Sequence, residues 1–385
     1  MLYHLSQWLD SLGYDIPGLR LMTYFSFRAM TAAIISMLIA FIAGKSIIRF
    51  LQTKQIGETV RDLGLEGQMQ KKGTPTMGGV IIILAVVGAA VLVCDLTSIY
   101  TILLLVTTLW CGAIGFTDDY IKVFRHNKEG LSERGKLVSQ FALGLFVAVA
   151  MCVSASIHTD TIVTTIPFVK AHEFDYRWLS PFKGQFGVYW TWGVYMITII
   201  FVILACSNGT NLTDGMDGLS AGTSAIVGVV IGIMAWLSGD AIDSRYLNIM
   251  YLPGSGEVAV YMAAFVGALI GFLWYNTFPA QVFMGDTGSL TIGGVIGVSA
   301  ILIRKELLLP ILCGIFLVES LSVLIQRYWF KYTKKKYGEG RRVFLMAPIH
   351  HHFQKKGIPE PRIVSHFWII GIILAVATLA LLKIR

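Results

Sequence analysis

Apolar positions run through this chain in long blocks, and polar residues gather in the gaps between them. Ten blocks stand out, at 22–46, 77–94, 98–117, 136–157, 189–207, 219–238, 257–276, 288–304, 308–330 and 363–383. Most match the roughly 20 apolar residues a helix needs to cross a bilayer. In hydrocarbon every backbone N–H and C=O must bond within its own segment, so these blocks predict helices. The expected fold is an all-α polytopic membrane protein of about ten transmembrane helices, one integral membrane domain over 1–385. Two weaker patterns lie outside the blocks. Leu2, Leu5, Leu9 and Leu12 recur at helical spacing beside Trp8, which predicts a short helix lying in the interface. Alternation over Thr161–Val169, in the aromatic-rich segment 158–188, predicts a small hairpin.

Composition agrees: 55% of residues are hydrophobic and 14% charged, against about 25% charged in soluble domains. The net charge of +8 is that of basic loops flanking membrane spans, and nucleic acid is not expected as a partner. The five cysteines are scattered through apolar stretches without a CxxC pair and read as packing residues. The first basic residue is Arg20 and no apolar core lies near Met1, so no cleavable signal is expected. Counting Lys and Arg on alternate sides of ten spans puts 10 on one side and the remaining 21 of 31 on the other. The richer side should be cytoplasmic. Both termini and the hairpin are then periplasmic, and the loops at 47–76, 118–135, 208–218, 277–287 and 331–362 face the cytoplasm.

Those loops carry the chemistry. Asp118 and Asp119 close the third block; adjacent carboxylates at a helix C-terminus oppose its dipole and repel each other unless a cation neutralises them. Lys122 is spaced to reach either. The segment Asn208-Gly-Thr-Asn211-Leu-Thr-Asp214-Gly-Met-Asp217 sets polar residues at every third position without a basic neighbour, and is expected as a 3₁₀ turn or loop opening the sixth span. Asp286 sits among small residues, where helix capping competes with metal binding. His350, His351 and His352 follow one another, so they point apart and suit contacts with phosphate or sugar better than one shared metal. Lys71, Thr76 and the following glycines suit an anion at a helix N-terminus. Lys136 and Arg134, at the start of the fourth span, fit a phosphate contact or ordinary flanking charge. Glu319 is an acid within the ninth span, where it would pair with a buried group or mark a groove. Together these parts point to Mg²⁺-dependent phosphoryl chemistry at the inner membrane face.

The stretches Asp118-Asp119-Tyr-Ile-Lys122, NGTNLTDGMDGL from Asn208, NTFPAQVFMGDTGSL from Asn276 and APIHHHF from Ala347 resemble the polyprenyl-phosphate N-acetylhexosamine-1-phosphate transferases. The His triplet and KKGTPTMGG from Lys71 resemble the branch acting on a muramyl nucleotide. The resemblance covers nearly the whole chain. It implies transfer of phospho-N-acetylmuramoyl-pentapeptide from UDP-MurNAc-pentapeptide to undecaprenyl phosphate, giving lipid I and UMP, in the bacterial inner membrane and often as a homodimer. It implies Asp286 as main Mg²⁺ ligand, with Asp118 and Asp119 at the metal and lipid phosphate. Asp118, Asp119, Asp286, His350 and His351 would be catalytic. Lys71, Thr76, Lys122, Lys136, Asn208, Asn211, Asp214, Asp217, Asn276, Phe283 and His352 would contact substrate. It also implies a bent ninth span beside a lipid groove. Direct attack by the lipid phosphate and a covalent phospho-aspartate are both compatible. A GlcNAc-1-phosphate donor and a transporter of anionic lipid or nucleotide are the competing readings. The His triplet argues against the first, and acids at span ends rather than mid-membrane argue against the second.

Overall fold

The computed structural model describes residues 1–14, 18–54, 73–125, 130–154, 162–167 and 173–383. Lys71 therefore lies outside the described residues. A short helix, α1 (Leu2–Ser11), comes first, where the leucine spacing predicts it. The apolar blocks then become α2 (Phe25–Thr53), α3 (Gly79–Val93), α4 (Ile99–Phe124), α5 (Glu133–Val153), α6 (Gly184–Thr213), α7 (Leu219–Gly239), α9 (Gly256–Asn276), α10 (Gly285–Leu302), α12 (Gly314–Tyr337) and α14 (Glu360–Leu381). Short helices α8 (Ala241–Leu247), α11 (Leu309–Leu312) and α13 (Ile349–Lys355) link them. Among the described residues, eight helices are long and apolar enough to cross a bilayer. The ninth block is a pair of helical pieces, Glu306–Leu312 and Gly314–Tyr337, bent by 77°. The remaining block, α3, has 15 residues, about 22 Å at 1.5 Å per residue, and is shorter than a full span.

Two expected boundaries are corrected. The third block does not stop at 117: α4 runs on to Phe124, so Asp118 and Asp119 lie inside its last turns. Asn208–Thr213 does not open the sixth span; it is the end of α6. The polar side chains are absorbed by the helix itself. Asn208 donates to the Leu204 carbonyl, Thr210 to that of Cys206 and Thr213 to that of Gly209. Such back-bonding lets polar residues continue a helix that their loop preference would otherwise end.

The centre of the bundle is α10, the most enclosed of the candidate spans at 89% buried. It packs on α4 and α6, while α9 packs on α2 and α7. Small residues make this possible. A Cβ at Gly293 would stand 2.2 Å from Thr210 Oγ1, so α6 and α10 meet at backbone distance. Near the α1 end of the bundle, Arg28 lies 2.6 Å from Glu257, with its guanidinium over the Tyr3 and Phe25 rings. That buried pair ties α1 and α2 to α9.

The hairpin that the alternation predicts is present, and it clamps the far end of α10. β1 (Val163–Thr165) pairs antiparallel with β2 (Glu173–Asp175). The Arg304 carbonyl accepts from Thr165 N–H and Thr164 O–H, and Tyr176 donates to Glu306. Lys305 donates to Thr165 Oγ1 at 2.6 Å and is 1% exposed. Burial pushes its ammonium down to about 8, with Glu306 opposing the shift. The ordinary lysine value is about 10.4. Below pH 8 the lysine is protonated in both folded and unfolded chains, and the folded state bears the whole desolvation penalty. Between 8 and ~10.4 the folded chain sheds its proton first, so stability rises with pH across that window. Lys305→Met is expected to raise the melting temperature at pH 7 by a few degrees and to abolish the rise above pH 8. A lower melting temperature at pH 7 would contradict this.

Candidate active site

Three carboxylates converge where α4 meets the start of α10. Suitably chosen oxygens of Asp118, Asp119 and Asp286 all lie within 4.8 Å of one another. Asp118 and Asp119 are 0% and 3% exposed. Small residues again allow the approach: a Cβ at Gly115 would stand 2.2 Å from the Asp286 carbonyl oxygen.

Two lysines close the cluster. Lys122 Nζ is 2.6 Å from Asp118 Oδ2, one helical turn away, and 3.3 Å from Asp286 Oδ2. Lys136, from the first turn of α5, is 2.9 Å from Asp118 Oδ1 and 2.5 Å from Asp286 Oδ2. Leu131 N–H also donates to Asp118 Oδ1, as the turn beginning at Gly130 (φ +66°) folds over it. Asp286 thus has basic partners on other elements, Lys122 of α4 and Lys136 of α5; the absence of Lys or Arg within its own loop says nothing about its neighbours in space. Asn211 donates to Asp286 Oδ1 and to Ser289 Oγ, at 2.9 Å each, and so joins the end of α6 to the site.

Asp119 is held differently. Its Oδ1 accepts from Asp286 N–H at 3.1 Å, and its Oδ2 from Thr287 N–H and O–H at 2.9 and 2.6 Å. Thr76 is brought to the same place. Phe283 N–H donates to the Pro75 carbonyl, while Gly78 and Gly79 N–H groups donate to the carbonyls of Phe283 and Met284. Half-buried Phe283 sits in that lacing.

The other expected residues form a second group around the 214–218 turn. Asp217 accepts from Ala280 N–H, and Gly218 N–H donates to Asn276, which in turn donates to the Val282 carbonyl. Asp217 and Asn276 therefore knit two loops together. Asn208 donates to Gln140 at 2.9 Å. Half-buried Asp214 begins the turn. His350, fully buried, lies against it: a Cβ at Gly215 would be 2.2 Å from its Nε2. Its Nδ1 is 3.1 Å from Glu319 Oε2, which gives the acid inside the bent span its partner. The three histidines do not all point apart: the His350 and His351 rings meet edge to face with centroids 4.2 Å apart, while His352 turns to Leu345 and Phe344. His351 Nδ1 meets Gln354 at 3.2 Å, and His352 Nδ1 accepts from Leu345 N–H. Partial burial and nearby Lys356 hold His352 below its ordinary value, in keeping with a neutral ring that accepts. Beside His352, a basic groove of ≈ 590 Å³ is lined by Arg327, Lys331, Arg342 and Lys355 among apolar side chains.

Sequence reasoning missed Thr287, Ser289 and Gln140. Ser289 stands three residues after Asp286, on the same helix face, and that spacing was a usable signal. Gln140, a buried polar residue in an apolar block, was another.

As for the cation, the donor set is all oxygen, with neither thiolate nor imidazole, and suits a hard divalent ion. Asp118 Oδ2 is buried with the Lys122 ammonium close by but no aligned hydrogen bond. A metal ion, less demanding of direction, fits such an oxygen.

Comparison with known proteins bears on this geometry. Residues 101–304 match the model of glycosyl transferase family 4, a range that holds the three aspartates and both lysines. Residues 71–83 match signature 1 of phospho-N-acetylmuramoyl-pentapeptide-transferase. The phospho-N-acetylmuramoyl-pentapeptide-transferase of Parabacteroides distasonis is 53% identical over the whole of both chains. Those of Flavobacterium psychrophilum and Porphyromonas gingivalis are 52% and 48% identical, again end to end. The chain belongs to the phospho-N-acetylmuramoyl-pentapeptide-transferase family. It is thus a multi-pass membrane enzyme and a glycosyl-1-phosphate transferase, and the transporter reading falls away.

Proposed function

We propose that this enzyme transfers phospho-N-acetylmuramoyl-pentapeptide from UDP-MurNAc-pentapeptide to undecaprenyl phosphate, releasing UMP and forming lipid I. The observation that carries the reading is the pairing of three clustered carboxylates with two lysines that bridge Asp118 and Asp286. Asp286 and Asp118 would hold Mg²⁺, which when bound withdraws charge from the diphosphate of the donor. Lys122 and Lys136 stand beside those oxygens as point charges for phosphate oxygens. Asn211 fixes the rotamer of Asp286. The turn from Asp214, with His350 and His351, borders the site where the nucleotide end would lie, and His352 with the basic groove borders the anionic remainder. In this reading the bend before α12 admits the lipid, and the site faces the cytoplasm with both termini outside. A homodimer is part of the same proposal.

Undecaprenyl phosphate would attack the β-phosphorus of the donor directly. Its terminal oxygen forms the new P–O bond as the bond to the UMP oxygen breaks, and UMP leaves with the electron pair. Lys122 and Lys136 balance charge on the phosphates, and Asp118 accepts a proton from the lipid phosphate where it carries one.

The test is UMP release by purified protein in detergent. UMP together with a lipid-linked product is expected only when UDP-MurNAc-pentapeptide, undecaprenyl phosphate and Mg²⁺ are all present, and EDTA should stop it. Release from UDP-GlcNAc instead would reassign the donor. A phosphorylated protein trapped with donor alone would replace direct attack by a covalent route.

A further inference from the structure

We infer that Asp119 is a positioning residue: it caps the N-terminus of α10 from the neighbouring helix and so sets the place of Asp286. This rests on reading Asp286 as the principal cation ligand. A helix leaves its first backbone N–H groups without internal partners, and a side-chain acceptor just before the first turn usually takes them. α10 lacks one. Its N-cap is Met284, which makes no side-chain cap bond. Asp119 does the work from α4, accepting the N–H groups of Asp286 and Thr287 and the hydroxyl of Thr287. Three of a carboxylate's roughly four acceptor positions are then occupied. The negative charge also lies at the positive end of the helix dipole. Space is kept for it by Gly285, at φ +72°, where a Cβ would stand 2.5 Å from Asp119 Oδ2.

Asp118 contrasts at every point. Its oxygens face Lys122, Lys136, Leu131 N–H and the side chain of Asp286, and none of them takes a backbone N–H of α10. Adjacent in sequence, the two acids divide the labour: Asp118 looks into the charged cluster, and Asp119 fixes the backbone that carries Asp286. Asp119→Asn should therefore disturb chemistry through geometry while leaving the cation ligands in place.

Mn²⁺ binding to the purified protein, followed by electron paramagnetic resonance, separates the roles. Asp286→Asn is expected to weaken Mn²⁺ at least thirtyfold. Asp119→Asn should stay within about threefold of wild type, with kcat down tenfold or more and KM for both substrates within twofold. Thr287→Val, which removes one donor to Asp119, should lower kcat in the same sense, and Thr287→Ser should restore it. In the double variant Asp119→Asn with Thr287→Val, neither kcat nor melting temperature should fall below Asp119→Asn alone. Loss of Mn²⁺ by Asp119→Asn equal to that by Asp286→Asn would make it a direct ligand and overturn the inference, as would strictly additive losses in the double variant. A wild type that binds no Mn²⁺ would remove the cation reading instead, and the double variant's melting temperature would still decide for or against the cap.

Discussion

Asp286→Asn is expected to reduce UMP release on the order of 10³-fold, the scale seen when one preorganised electrostatic contact is removed from a transition state. The protein should still insert and retain its helix content. The substitution is isosteric, and the structural bonds around it do not need the charge. Its backbone N–H still reaches Asp119, and Asn211 and Ser289 remain joined. What disappears is the one carboxylate that both lysines share with Asp118. The activity loss should fall on kcat, and raised Mg²⁺ should recover little of it. An inserted Asp286→Asn enzyme with turnover within tenfold of wild type would remove Asp286 from the centre of the site.

The helices were legible because hydrocarbon leaves a spanning segment little choice, and one-dimensional hydropathy then maps onto three dimensions. Their ends were less so. Asn208 and Asp118 look like loop residues by propensity, yet each lies in a continuing helix. Asn208 bonds back to the Leu204 carbonyl, and Lys122 and Lys136 neutralise Asp118. The adjacent aspartates could be nominated from sequence because two acids at the end of their own helix gain nothing within that helix. What joined them could be read only in part: the spacing names Lys122 for Asp118, but not its reach to Asp286. Lys136 sits in a different helix from either acid, and only packing shows that its ammonium reaches both. Glu319 illustrates the same limit. An acid inside an apolar block announces a partner, and nothing local to 319 names His350, 31 positions further on.

The second large effect concerns that lysine pair. Three carboxylates and two ammonium groups leave the cluster one negative charge in excess if all are ionised. A divalent cation reverses the sign, and phosphate oxygens then become the natural next ligands. Lysines and cation therefore compete for the oxygens of Asp118 and Asp286, and the cation and the diphosphate should bind cooperatively. Unit charges 5 Å apart interact by roughly 3 kcal/mol at an effective dielectric of about 20, and a divalent ion feels about twice that before screening. Lys136→Gln is accordingly expected to tighten Mn²⁺ binding about tenfold in the absence of nucleotide, while lowering turnover by on the order of 10²-fold. UDP should tighten Mn²⁺ in the wild type and much less in the variant. Lys122→Gln should follow with smaller changes, because its side chain is 36% exposed against 20% for Lys136. The measurement is a paramagnetic titration with and without UDP, set beside UMP release. Weaker Mn²⁺ binding in Lys136→Gln would mean that the lysine supports the cation site by holding Asp118 and Asp286 together, and the competition would be wrong.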